Sequence, residues 1–296
     1  MCTRRATRRS GLFLAVLLLL LMGAGSAAPT AMAKGELHDE LFTATLDPMP
    51  PAPVPAALAR ITFAPGAGLS MTANPGPALH FVESGGFDVT MLGDGALERA
   101  GATTPDQATP VAEGEAFTIN PGDVLVIPAT TPFEVFNTGT APAVALIVEF
   151  FPRDLSAPLP EGISLEPLVG GEATSMPSGA ADVALTRTTL EPNGTVMPEA
   201  PTEGPALIFI EDGQASFQLI AGEAAVTTAP DAATPSATPA ASQTAPTNQE
   251  VMLSAGAAIF AQTGIEAGVR NAGTDPLVYL TLTITPSRNH SATLAT

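Results

Sequence analysis

The body of this chain is written twice, and that repetition limits its fold more than any other feature. Gly66, the run Asn74-Pro75-Gly76-Pro77-Ala78-Leu79 and Gly85 reappear as Gly194, Thr202-Glu203-Gly204-Pro205-Ala206-Leu207 and Gly213, each displaced by 128 residues. Farther on, Gly122, Asn137, Gly139 and Pro152 reappear as Gly256, Asn271, Gly273 and Pro286, displaced by 134. Constant displacement within each block means one structural unit built twice, with an insertion between the blocks of the second copy. Residues 228–249 (TAPDAATPSATPAASQTAPTNQ) are the place for it. Such a stretch has too little large apolar surface to offset its ordering entropy, so a mobile, disordered loop is expected there. It reads either as a lid or docking tail or as a tolerated solvated insertion. The first copy has a shorter equivalent at 100–113.

Inside each copy the apolar runs are short, rich in Val, Ile, Leu, Thr and Phe, and bounded by Pro and Gly. They cover 58–63, 79–83, 123–127 and 143–151, then 184–190, 206–210, 257–260 and 277–284. The chain holds 30 Pro and 27 Gly, a composition that favours many short elements joined by turns. Pro121-Gly122-Asp123 is a tight turn feeding a strand. The one segment with any helical pattern is 35–42. Evenly spaced short strands argue for a closed or two-sheet β architecture, made twice.

At these positions the chain resembles the cupin superfamily of small β-barrels. The family's first motif runs Gly, five residues, His-x-His, three or four residues, Glu, six residues, Gly. Gly66, Thr72, Asn74, Ala78 and Gly85 stand in that frame. The second motif runs Gly, five residues, Pro-x-Gly, two residues, His, three residues, Asn, and here reads Gly122, Pro128, Thr130, Phe133 and Asn137. The second copy places Gly194, Ala200, Thr202, Ala206 and Gly213, then Gly256, Gln262, Gly264, Ala267 and Asn271 in the same frames. The resemblance implies an all-β bicupin: two tandem cupin (double-stranded β-helix or jelly-roll) barrels after an N-terminal signal peptide. Its boundaries are 1–33 for the leader, 42–152 for barrel 1, 153–182 for a linker, 183–286 for barrel 2 and 287–296 for a tail.

The departures from the family pattern bear on chemistry. Cupin enzymes typically hold a transition metal through three His and one Glu, and such metals need imidazole or carboxylate donors. Here the ligand positions are Thr72, Asn74, Ala78 and Phe133, then Ala200, Thr202, Ala206 and Ala267. Degenerate metal sites are therefore expected in both barrels, with no metal and no cofactor. Of three histidines, His38 and His290 lie outside the barrels and are expected to be solvated. His80 follows Ala78 by two, so strand alternation turns it to the same inward face. It reads either as a general base or ligand-binding group or as hydrogen-bonded packing. Its counterpart is Ile208. A barrel-1 pocket of Thr72, Asn74, His80 and Phe133 is the candidate binding site, with no catalytic set assigned. The metal-free sugar-epimerase pattern is not met, because Tyr279, the lone tyrosine, belongs to the other copy. No Ser-elbow, phosphate loop or dinucleotide motif occurs, and the scattered methionines read as core filling.

The first residues give an address. Arg4, Arg5, Arg8 and Arg9 precede a 12-residue apolar run from Gly11 to Met22 and the small-residue site Ala31-Met32-Ala33. That is the layout of a secretory signal peptide, and the run falls short of the ~20 residues a bilayer span needs. Arg8-Arg9 hints at the twin-arginine route, although Gly11 departs from that signal. Removing the leader takes four of 11 basic residues and no acid, leaving 7 against 29, a formal charge of −22. So acidic a chain repels nucleic acid and anionic lipid. Cys2, the only cysteine, leaves with the leader, so no internal disulfide is available. The expectation is an exported (periplasmic, extracellular or cell-surface), acidic, non-enzymatic protein that binds a small molecule or protein partner, with no stable membrane span after cleavage. A homodimer built on sheet faces is a further expectation. A metal-independent isomerase or lyase centred on His80 and an extracellular assembly protein are the alternatives.

Overall fold

The computed structural model describes residues 36–71, 74–101, 108–152, 158–197, 200–229 and 242–288. The expected leader, Thr72 and His290 lie outside the described residues. The described residues contain 22 strands and no helix. The first repeat supplies β1 (Glu36–Leu46), β2 (Val54–Phe63), β3 (Gly68–Met71), β4 (Ala78–Ser84), β5 (Phe87–Met91) and β6 (Gly95–Glu98). It continues with β7 (Thr109–Val111), β8 (Ala116–Ile119), β9 (Val124–Ile127), β10 (Phe133–Phe136) and β11 (Ala143–Glu149). The second repeat supplies β12 (Ile163–Ala173), β13 (Ala181–Leu190), β14 (Thr195–Val196), β15 (Ala206–Asp212), β16 (Gln214–Ala221) and β17 (Ala224–Thr227). It ends with β18 (Ser242–Thr244), β19 (Glu250–Ser254), β20 (Ala258–Ala261), β21 (Glu266–Asn271) and β22 (Leu277–Pro286). Every strand of the first repeat has its counterpart eleven strands on.

These strands form two seven-stranded and two four-stranded antiparallel sheets. The order β12-β2-β11-β4-β9-β6-β7 with the small sheet β3-β10-β5-β8 makes barrel 1. The order β1-β13-β22-β15-β20-β17-β18 with β14-β21-β16-β19 makes barrel 2. The two orders are identical except that the repeats have exchanged their first strands. β1 runs beside β13 in barrel 2, and β12 runs beside β2 in barrel 1. Each exchanged strand carries one bulge at the matching place, between Glu40 and Phe42 and between Pro167 and Val169.

Alternation along the large sheets gives three apolar layers. Phe63, Phe87, Met91, Ile119 and Phe133 fill barrel 1, and Phe217, Leu219, Ile259 and Val269 fill barrel 2. Between them the large sheets pack face to face, with Leu58, Leu79, Phe81 and Leu146 of one against Leu185, Leu207, Phe209 and Leu282 of the other. β1 joins this middle layer through Phe42, Ala44 and Leu46, the Phe42 ring lying 6.0 Å from that of Phe81.

Four expectations change. In the stretch 35–42, the described residues 36–42 are strand and not helix, because β1 finds a hydrogen-bonding edge on β13 and an apolar seat for Phe42. The stretch 153–182 is more than a linker, since it contains β12, a full member of the barrel 1 sheet. Within 228–249 the described part is ordered, with β18 paired to β17 and Ala245 buried in the barrel 2 core, while 230–241 lie outside the described residues. Met197 and Met252 are exposed, at 52% and 56%, instead of filling a core.

Turn chemistry explains the repeated Asn. Asn137 is buried, and its Nδ2 donates to the carbonyls of Phe63 (2.9 Å) and Ala141 (2.8 Å) while Oδ1 accepts from the Gly139 amide (2.9 Å). Asn271 makes the same three bonds, to Leu190 (2.8 Å), Asp275 (2.8 Å) and Gly273 (2.9 Å). Thr130 stands at the glycine of the second motif with φ 62°, and Gly264 holds the matching place at φ 82°. The left-handed conformation persists without glycine, anchored where the Thr130 amide donates to the Asn74 carbonyl at 2.5 Å.

Candidate functional site

Barrel 1 closes on a cavity of about 30 Å³, walled by Ile61, Phe63, Asn74, His80, Phe133 and Glu149 among others. That is room for one or two water molecules; small-molecule pockets usually measure about 300–1,000 Å³. Asn74 arrives on the loop between β3 and β4, 2% exposed, and its Nδ2 has no hydrogen-bond partner. His80 points inward from β4, as strand alternation requires, and stands edge-on to Phe133 with centroids 5.6 Å apart and planes at 77°. The Phe133 ring is 1% exposed and occupies the space the motif would give a metal-bound imidazole. Of the four residues expected in this pocket, three line it; Thr72 lies outside the described residues.

Glu149 is the member that sequence reasoning missed. It is 3% exposed on β11, opposite Ala78 of β4, and faces the same cavity as His80. Its signal was an acid closing the otherwise apolar run Val-Ala-Leu-Ile-Val, where burial of a charge calls for a reason. The missing carboxylate of position 78 thus has a neighbour across the strand pair. Even so, Ala78 offers no donor, Phe133 blocks a second position, and no group of three or more His, Cys, Asp or Glu converges among the described residues. This donor set does not fit the three-His-one-Glu metal of the family.

Barrel 2 is lined by apolar side chains at the corresponding places. Ala206 and Ile208 pack in its core with Ala267, and Ala200 is exposed. The Thr202 hydroxyl accepts from the Ile265 amide at 3.2 Å, a loop tie. Strand exchange creates a polar chain that neither repeat holds alone. His38 is exposed, as expected, but lies within β1 and not ahead of the strands, its Nδ1 2.9 Å from the Thr188 hydroxyl and its Nε2 paired with Glu36. The Tyr279 hydroxyl meets Thr188 from β22, and burial pushes that phenol up to about 12, with the Thr188 bond pulling the other way. Thr188 and Tyr279 are 2% and 4% exposed, so this chain pins β1 and is closed to a substrate. An open cleft of about 420 Å³ lies at one end of barrel 2, between Asp212, Gln214, Ser254, Thr274 and Asp275.

Strand order and filled interiors define two β-barrels of the same topology in tandem on one chain. No family model matches the sequence, and no curated protein matches it. Solved structures similar to it include three with unlike names. A cupin 2 conserved barrel domain protein from Leptotrichia buccalis is 13% identical, with 86% of this chain and 97% of that one covered and a TM-score of 0.36. An oxalate decarboxylase from Lactobacillus farciminis in complex with formate is 13% identical over 86% and 82%, with a TM-score of 0.40. Procruciferin, an 11S globulin from Brassica napus, is 10% identical over 84% and 86%, with a TM-score of 0.38.

Proposed function

We propose that this bicupin is an exported, metal-free, non-enzymatic scaffold or binding protein whose barrels are packed cores and whose partners meet its outer surface. One observation carries the reading: the cavity inside barrel 1 holds about 30 Å³, with Phe133 at a ligand position of the motif. A sugar, organic acid or phenol is several times larger than that space. The strongly acidic surface of the mature chain favours a cationic or neutral partner. Export rests on the leader at 1–33, and amino-terminal sequencing of the secreted protein near Lys34 checks it.

The test is a thermal-shift screen of sugars, organic acids and phenolics together with metal analysis of the purified protein. The expected result is no stabilisation beyond about 2 °C and no stoichiometric metal. A ligand whose shift vanishes in His80→Ala, or near-stoichiometric iron, manganese, zinc or copper, overturns the reading.

The convergence of His80, Glu149 and Asn74 on one cavity favours a second reading, a metal-independent isomerase or lyase acting on a substrate admitted by movement of Phe133. It requires that His80→Ala abolish turnover while leaving the melting temperature nearly unchanged. The assembly alternative is separated by deleting 230–241, which spares β17, β18 and the buried Ala245, and following partner binding.

A further inference from the structure

Glu98 ends β6 inside the molecule. It is 4% exposed, and its Oε2 has no hydrogen-bond partner. The charge that acts on it is that of another acid, Glu40, on β1. Beside it β9 contributes Val124, its register partner, and at the head of β9 Asp123 is taken by Arg99 Nη1 (2.7 Å) and two backbone amides. From β7 come Thr109, Pro110 and Val111, all without charge. Across the interface, Arg187 of β13 is committed to Glu211 and Glu83, and on β1 itself His38 is engaged by Thr188 and Glu36. Among the described residues no cation pairs with Glu98 or Glu40.

The repeat supplies its own comparison. Sheet register puts Thr227 of β17 where β6 has Glu98, and Pro167 of β12 where β1 has Glu40. The acid pair therefore belongs to one exchanged strand only. That strand is a sheet edge, bonded to β13 on one side, with residues 37–40 exposed. It reaches barrel 1 through Phe42.

We propose that β1 is a proton-controlled latch: with Glu98 protonated the strand lies closed across barrel 1, and with Glu98 ionised beside Glu40 its charged arm lifts away. Burial first, and the Glu40 charge second, push the Glu98 carboxyl up from 4.5 to about 7. A raised acid holds its proton in the closed state after the open state has lost it. Closing is therefore favoured at low pH and weakens as pH rises from about 4.5 to about 7, levelling above that.

Hydrogen exchange on the full-length mature protein between pH 5 and 8.5, corrected for intrinsic rates, tests this. Opening of the 36–42 amides should rise up to about tenfold per pH unit below 7 and then level, while the β12 arm at 163–167 stays flat. Glu98→Gln should remove the slope and leave the arm closed. Glu40→Gln should shrink it, and serves if the first variant misfolds. An unchanged slope in either variant, or an equal slope in β12, overturns the proposal. Suppression of the wild-type slope by millimolar calcium would overturn it in favour of a bound cation.

Discussion

Asn137 and Asn271 each satisfy two carbonyls and one amide where a barrel turn closes, with no water needed. Replacing Asn137 by Asp removes the two donors and sets a carboxylate against the Phe63 and Ala141 oxygens. The expected cost is about 3 kcal/mol, read as a fall in denaturation midpoint, with the same loss for Asn271→Asp because the bonds match. Equal stability of variant and wild type would show that solvent replaces these bonds. Phe133 poses a different question. Phe133→Ala should cost about 3–5 kcal/mol and open a cavity that takes benzene or toluene, raising the variant's melting temperature but not the wild type's. A variant as stable as the parent would mean the ring is not packed as described.

At the scale of elements, close approach decides. A Cβ on Gly171 of β12 would meet the Phe260 ring at 2.5–2.8 Å, in the middle of the interbarrel layer. Gly171→Ala should therefore destabilise by about 1–3 kcal/mol, whereas Gly114→Ala, with nothing within 4 Å but φ at +82°, should lose only the smaller conformational term. Chemical denaturation of the two variants side by side checks the order. The eight strand runs were readable because both faces of each large sheet are buried, which leaves short apolar stretches between turn residues. β1 was not: Glu-Leu-His-Asp-Glu lacks that signature, and only the edge of β13 makes it a strand. β12 was hidden for the same reason, since a partner across the molecule cannot be seen in local pattern. In the candidate site, Asn74, His80 and Phe133 followed from motif frame and alternation. Glu149 and Glu98 did not, because an acid at the end of an apolar run looks solvated until the sheet covering it is known.

Over the whole molecule, two groups of carboxylates set opposing pH limits. Where the barrels meet, Arg60, Glu83, Arg187 and Glu211 alternate in a ring. Arg60 bonds Glu83 and Glu211, both at 2.7 Å, and Arg187 bonds Glu211 at 2.6 Å and Glu83 at 2.7 Å. Both acids sit at β-bulges, between Val82 and Ser84 and between Ile210 and Asp212, which turn their side chains toward the ring. Burial alone would raise Glu83, but the bonds and charges of Arg60 and Arg187 outweigh it and hold the carboxyl below 4.5. A depressed acid contributes stability above its unfolded value, lost as pH falls through the folded one. Glu98, shifted upward, weakens the fold as pH rises toward 7. Thermal midpoints should therefore peak near pH 5, with Glu83→Gln lowering the midpoint above that pH and flattening the acid side, and Glu98→Gln flattening the neutral side. A maximum above pH 7 would contradict this account of both groups.

Reciprocal exchange of β1 and β12 has a consequence for any cut in the polypeptide. A protease nick between β11 and β12 would not release two barrels, since each fragment then owns an edge strand embedded in the other's sheet. The nicked molecule should migrate as one species until denatured, and its halves, made separately, should recover their shape only as a complementing pair.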